Sequence, residues 1–260
     1  MSVSWWQHRT LLKAFIKRDI YERFAGSILG PLGLFIQPLV QIIVFIFLFK
    51  YIFKVRIHIG GGMDEDFLRF FLAAFIPWTI HNEAFLRGAN SLLTQGYLLT
   101  KAAFPAEIIP FSSVVSSYIL GITALFFLSL IFYFYGGLSW SILWVPELLI
   151  LQFLFTLGAT LFWAAIIVYL RDLQQFLGLV SMVWFYATPI LYSLEMLPHN
   201  LYFIFWLNPF TYFVRLWQFI YLGIPCSSWD FILSCIFTAI TLFLGWTIFR
   251  YLKAGFADIL

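Results

Sequence analysis

The residues from which reaction chemistry would have to be built are few: Glu83, Arg87, Glu107 and the pair Arg171-Asp172, each at an edge of an apolar run. Acids converging at one membrane face would suit an intramembrane enzyme that processes a lipid. Helix-end charges are the plainer reading of all of them. Glu83 and Arg87 are four residues apart, the spacing of an ion pair along one helix, with a proton-coupled element as the alternative. His8, His58, His81 and His199 lie on separate segments, and no HExxH or CxxC spacing occurs, so no metal centre is expected. Gly60-Gly61-Gly62 is followed by Met63-Asp64-Glu65, acids where a phosphate-cradling loop needs a lysine, and no GxxxxGK[ST] sequence exists. The expectation is a chain that is not an enzyme and holds no cofactor. Cys226 and Cys235 are read as unpaired thiols in apolar surroundings.

A second kind of chemistry is aromatic. Trp184, Tyr186 and Tyr192 fall in one apolar run, and Tyr202, Trp206, Phe210 and Tyr212 crowd the next, broken one. Aromatic faces stack on sugar rings through C–H contacts and leave the hydroxyls free. These seven are therefore the candidates for lining a glycan's path, with an interfacial aromatic belt as the alternative.

The elements that position these residues follow from composition. Of 260 residues, 63% are hydrophobic and 10% charged, against about a quarter charged in soluble domains. Lipid must be the solvent for much of the surface. A spanning helix needs ~20 apolar residues. The expected fold is a single-domain, all-α polytopic membrane protein with six transmembrane helices, over 34–53, 67–86, 108–135, 143–169, 176–192 and 231–249. The stretch 194–222 is apolar but interrupted by Pro198, Asn208-Pro209 and Arg215. Its pieces are too short to cross, so it is read as a re-entrant hairpin between the fifth and sixth helices. Ahead of the first span, 7–24 repeats Leu12, Ile16, Ile20 and Phe24 every four residues among Arg9, Lys13, Lys17, Arg18 and Arg23. This is an amphipathic helix, lying in the headgroup plane or packed on the bundle. Gly26, Gly30, Pro31 and Gly33 then turn the chain into the membrane.

Charge orients the whole. With the N-terminus in the cytoplasm, the inside set is Arg9, Lys13, Lys17, Arg18, Arg23, Arg87, Lys101, Arg171, Arg250 and Lys253, the majority of the 15 lysines and arginines. Both termini are then cytoplasmic and the number of crossings even. No basic block points to nucleic acid.

Several motifs, in order along nearly the whole chain, resemble one family. They are Arg18-Asp19-Ile20-Tyr21-Glu22-Arg23-Phe24 with Ser27-Ile28-Leu29-Gly30, then Phe75-Ile76-Pro77-Trp78, then Lys101 with Phe104-Pro105. Tyr169-Leu170-Arg171-Asp172, Thr188-Pro189-Ile190-Leu191-Tyr192 and Leu207-Asn208-Pro209 complete the series. The chain resembles the permease subunits of ABC exporters for lipid-linked polysaccharide and polyol phosphate, which carry O-antigen, teichoic acid or capsule. It departs at Gly33, where many relatives carry Trp. The resemblance implies a homodimer in the cytoplasmic (inner) membrane, joined to two copies of a separate ABC ATPase subunit that binds ATP and Mg. It implies that 7–24 and 88–104 meet the ATPase, making Lys13, Lys17, Arg18, Thr100 and Lys101 the coupling candidates. The anionic headgroup of a lipid-linked glycan would seek Arg18, Arg23, Leu29 and Gly30. O-antigen or teichoic acid is favoured as cargo, with a permease for a drug or small lipid as the alternative.

Overall fold

The long apolar runs become helices whose ends are set by local chemistry. In the computed structural model the chain is described over residues 8–24, 32–53, 56–59, 63–101, 104–136, 139–196, 198, 200 and 202–259. Helix α1 is Arg9–Phe24. Helix α2, Gly33–Ile46, continues through a widened turn at Phe47–Phe53. A short antiparallel hairpin follows, β1 (Arg56–Ile59) on β2 (Met63–Asp66), pairing Arg56 with Asp66. Helix α3 is Phe67–Gln95, α4 is Tyr97–Lys101 and α5 is Ile108–Gly136. A tight turn at Trp140–Trp144 leads into α6, Val145–Tyr169, which starts with a proline in its first turn beside Glu147. Then come α7 (Leu173–Tyr186), α8 (Tyr202–Leu207) and α9 (Pro209–Leu222). Helix α10 (Ser228–Leu252) and the short α11 (Phe256–Ile259) close the chain.

Three helical stretches, Ile108–Phe134, Trp140–Tyr169 and Ser228–Gly255, are long and apolar enough to cross a membrane. Their limits lie close to the third, fourth and sixth predicted spans. Helix α10 begins at a capping box: Ser227 Oγ and the Asp230 carboxylate satisfy each other's backbone N–H groups. Helix α9 begins with Asn208 accepting from the Phe210 amide and Pro209 at its first position. It ends at Gly223, whose φ of +71° is a left-handed cap that favours glycine.

Four features depart from the sequence expectation. The polar connection after the first span holds the β1–β2 hairpin, so the fold is helical with one small two-stranded ribbon. Helix α3 does not stop near 86 but runs on to Gln95, carrying Glu83 and Arg87 in its body rather than at its end. The run 176–192 is helical only from Leu173 to Tyr186, because Pro189 and the Thr188 turn cannot continue it. Its 14 residues give a helix of roughly 21 Å, shorter than a ~30 Å hydrocarbon core. Finally, α1 turns Phe15 and Asp19 into the bundle, whereas Leu12, Ile16 and Ile20 are only half-buried. A buried acid, not the apolar stripe alone, faces the neighbouring helices.

The core centres on α3, which packs on α5, α6 and α9 and buries residues on all sides, from Phe67 to Leu92. Pro77 lies inside α3, and Gln152 of α6 donates to its carbonyl at 2.9 Å. Gln152 Oε1 in turn accepts from Trp217 Nε1 of α9 at 2.7 Å, so one buried amide ties three helices. Helices α6 and α10 make the most extensive contact. Their backbones meet at Gly158 and Gly245. A Cβ on Gly158 would lie 2.5 Å from the Leu242 amide nitrogen, and one on Gly245 would collide with the Gly158 carbonyl. Close approach of small residues gives apolar helices a van der Waals interface that lipid cannot match.

Gly158→Ala is therefore expected to force α6 and α10 apart at a cost of about 1–3 kcal/mol. Gly178→Ala, where nothing lies within 4 Å of the new methyl, is expected to be neutral. Thermal unfolding of the detergent-purified variants checks this. Equal midpoints for the two would remove the crossing as a determinant of stability.

Candidate functional site

Two places gather polar chemistry. The first joins α1 to α3 and α5. Asp19, with 4% of its side chain exposed, is costly to bury without donors. It has three: Arg87 Nη2 at 3.1 Å on Oδ1, Arg23 at 3.3 Å on Oδ2, and the hydroxyl of Ser116. The Arg23 guanidinium, 7% exposed, also donates to Glu83 Oε1 at 2.5 Å and to Ser117 Oγ at 2.6 Å. Burial pulls its pKa below the ordinary arginine value; Glu83 opposes that shift, Arg87 adds to it, and Asp19 opposes it. Arg18 stacks over the Phe15 ring at 4.9 Å, donates to Gln95 Oε1 at 2.6 Å, and pairs with Glu22 at 3.2 Å.

This arrangement corrects one expectation. Glu83 and Arg87 share a helix face but do not pair with each other. Each reaches to α1 instead, Glu83 to Arg23 and Arg87 to Asp19. The result is two crossed interhelical pairs sharing Arg23 and Asp19. A polar cleft of about 450 Å³ opens beside them, lined by Arg18, Glu22, Asn90, Thr94 and Tyr97 among others. Of the residues proposed for a lipid headgroup, Arg23 has its donors engaged by protein acceptors, Arg18 faces the cleft, and Leu29 and Gly30 lie outside the described residues. Lys13 and Lys17 are exposed on α1, and Lys17 sits 5.7 Å from the Tyr21 ring. Thr100 and Lys101 belong to α4, and their side chains lie outside the described residues.

The second place is at the other end of α3. Pro189, Tyr192, Ser193, Glu195, Tyr202 and Trp206 come together with Phe70, Arg215 and Gln218 around a cavity of about 270 Å³. Arg215 lies 5.7 Å over the Trp206 ring and pairs with Asp230 at 3.1 Å. Gln218 is 5% exposed and its Nε2 has no acceptor among the described residues.

The seven predicted aromatics divide. Tyr192, Tyr202 and Trp206 line this cavity. Tyr186 is exposed on the outside of α7, its carbonyl accepting from the Tyr192 hydroxyl at 2.6 Å. Trp184 is half-buried and donates to Asn208 Oδ1 at 2.8 Å. Phe210 is fully buried, 4.6 Å from His81 and 4.9 Å from Trp78 between ring centroids. Tyr212 is buried with its hydroxyl on the Trp206 carbonyl at 2.6 Å. Phe210 and Tyr212 are thus core residues, held by ring packing and not open to a passing ligand. In the same core, His81 Nδ1 and the Tyr118 hydroxyl both meet Thr156 Oγ1, at 2.8 and 2.7 Å. Sequence reasoning missed Asp19, Gln152 and Gln218. Only Asp19 left a trace, as an acid on the helix face otherwise facing the bundle.

A family model described as ABC-2 type transporter matches residues 10–222. An O-antigen export system permease protein of Myxococcus xanthus, RfbA, is 30% identical over 112 residues, 43% of this chain and 40% of that protein. A protein of the same description from Klebsiella pneumoniae is 28% identical over 254 residues, 96% of this chain and 95% of its own length. The chain thus spans less than half of the first relative and nearly all of the second.

Because removing one partner from a buried ion pair typically costs about 3–5 kcal/mol, Asp19→Asn is expected to undock α1. Hydrogen exchange should then speed up over 9–24, while 145–169 stays as protected as before. Unchanged protection of α1 would show that the cluster does not hold it.

Proposed function

The chain belongs to the ABC-2 type transporter family, and from that premise we propose that it is the membrane-spanning subunit of an ATP-driven exporter of lipid-linked polysaccharide, O-antigen above other glycans. Membership makes it a multi-pass membrane permease that works with an ABC ATPase subunit. The finer reading is ours: six crossings, both termini in the cytoplasm, a homodimer in the inner membrane, and ATP with Mg bound on the partner. In this reading α7 and the segment that follows make the fifth crossing, and 194–222 re-enters as α8 and α9. The short lengths of α8 and α9 support this, as does the Asn208 side chain. It donates to Ala187 O and Thr188 Oγ1 at 2.9 and 2.8 Å and accepts from the Phe210 amide, so a chain break at membrane depth keeps its polar groups paired.

The observation that carries the glycan is the cavity of Tyr192, Tyr202 and Trp206 with Gln218. Ring faces take the C–H faces of sugars, and Glu195 and Arg215 on the same wall offer hydroxyl partners. The name shared by the relatives points the same way. At the opposite end, exposed Lys13 and Lys17 of α1 with Arg18 and the end of α4, Thr100 and Lys101, form the surface offered to the ATPase. The cluster around Asp19 makes any push on α1 a push on α3 and α5.

Trp206→Ala, in the chain assembled with its ATPase, is expected to lower glycan export roughly tenfold, equivalent to ~1.4 kcal/mol. Basal ATP hydrolysis should be unchanged. Export is read as glycan on the cell surface and hydrolysis on the purified complex. Intact surface glycan with loss of resistance to apolar drugs would replace the cargo. Failure to form a complex with any ABC ATPase would defeat the permease reading itself.

A further inference from the structure

Arg87 stands between two openings. It lines the cleft of about 450 Å³ into which Asp19 also faces. It lines as well a second cavity of about 320 Å³ between α2, α3 and α5, together with Arg23, Glu83, Gln41 and Thr79. Among the described residues its acceptor is Asp19, and 41% of its side chain is exposed. Glu83, one turn back on the same helix, is 51% exposed. Arg87 and Glu83 thus share open space without pairing.

The order of the charges gives this a consequence. Asp19 with Arg23 on α1, and Glu83 with Arg87 on α3, are each an acid followed four residues later by a base. That is the favoured orientation for a pair along one helix. On α1 the local pair is made, at 3.3 Å. On α3 it is given up for two crossed contacts, Arg23 to Glu83 at 2.5 Å and Arg87 to Asp19 at 3.1 Å. Turning Arg87 from Asp19 to Glu83 dissolves both crossed contacts and leaves no charge alone, because Arg23 keeps Asp19. Ser116 loses nothing either, since its Oγ already lies 3.0 Å from Ser113 O, to which a helical serine can donate. The ring contact of Phe15 with Phe104, at 5.5 Å, carries no charge and can remain as a pivot.

We propose that Asp19, Arg23, Glu83 and Arg87 are a two-position coupling between α1 and the bundle. In the clamped position, the one in this structure, the pairs cross between the helices. In the released position each helix is paired within itself and the Asp19 end of α1 lifts into solvent. A cluster with one arrangement could let go only by stranding a charge. Two paired arrangements are what a switching element needs. Nucleotide on the partner subunit sets the position, a driver that rests on the reading of α1 as a surface met by the ATPase. Clamped, α1 transmits thrust to α3 and α5; released, it returns without dragging them.

The test has one arm on the full chain alone and one on its complex. On the chain alone, hydrogen exchange over 9–24 reads the released population. Glu83→Arg with Arg87→Glu keeps a pair on α3 but sets like charges across both crossed contacts. Exchange should then speed up on the order of a hundredfold, the low end for breaking a buried ion pair. Glu83→Gln leaves both arginines an acid in the clamped position, Asp19, but strands Arg87 in the released one. Exchange should then slow roughly twofold, the worth of one pair along a helix. This conservative change keeps the test sound if the reversed pair does not fold. In the complex, spin labels at Tyr21→Cys and Asp172→Cys, both exposed, with Cys226 and Cys235 replaced by Ser, should give two distances by double electron–electron resonance. A non-hydrolysable ATP analogue should change their ratio at least about fivefold, the low end for coupled sites. A single distance with and without the analogue would overturn the proposal. So would equal or faster exchange in Glu83→Gln, the result for a cluster that only glues α1 down. Failure to assemble with any ABC ATPase would instead defeat the permease reading, and the exchange rates of the chain alone would still decide this one.

Discussion

A carboxylate buried away from water must be surrounded by donors, and Asp19 imposes that demand on three helices at once. Its oxygens take Arg23 from its own helix, Arg87 from α3 and Ser116 from α5. Arg23, drawn in to meet it, needs a further anion and finds Glu83. The geometry of α1 against the bundle follows from these directed contacts more than from its apolar residues, which among the described ones are half-buried or exposed apart from Phe15. Hydrophobic packing alone lets a helix slide or roll at little cost. Ion pairs that reach a carboxylate closed to solvent, from Arg87 at 3.1 Å and Arg23 at 3.3 Å, do not. A helix clamped in this way moves with its neighbours.

The remainder of the bundle obeys the same rule of paired polar groups, with neutral partners. Gln152 serves α3 through the Pro77 carbonyl and α9 through Trp217. Asn208 serves the broken segment through Ala187, Thr188, Phe210 and Trp184. Each is a primary amide, the side chain that both donates and accepts. Around them aromatic rings fill the volume: Trp78, His81, Phe155, Trp184 and Phe210 meet edge to face or tilted, at centroid distances of 4.6 to 6.4 Å. Such contacts leave no path between the rings, which is why Phe210 belongs to the core and Trp206, one turn of chain away, to a cavity.

The sequence discloses what depends on local composition. Apolar runs of spanning length set 108–135, 143–169 and 231–249 within a few residues, and Asn208-Pro209 announces the start of α9 by its cap chemistry. Runs alone did not reveal that 176–192 ends as a helix at Tyr186, because its last residues are as apolar as its first. The motif Thr188-Pro189 carried that information as a breaker. Charge partners were hidden for a different reason. Asp19 and Arg87 are 68 residues apart, and no periodicity reports a contact across such a gap, whereas Glu83 and Arg87 look paired because their spacing is local. Aromatic content predicts that rings cluster but not whether a cluster is filled or hollow, so three of seven named rings reached the cavity.

The two polar places sit on the same helix, with Arg87 and Glu83 toward one end of α3 and Phe70 at the other. A continuous α-helix would join them as a rod, Phe70 to Arg87 spanning about 25 Å. Pro77 stands between, and a proline inside a helix leaves one rung of its hydrogen-bond ladder unmade. The carbonyl of that residue is the one held by Gln152, which holds Trp217, one position before Gln218 on the helix that also supplies Arg215 to the cavity. Motion imposed on α1 therefore reaches α3 through charged contacts near one end. The place where α3 is most able to bend is the place where it is fastened to α9. The cavity is consequently not remote from the ion cluster, since its wall on α9 is fastened through Trp217 and Gln152 to the same helix to which α1 is tied.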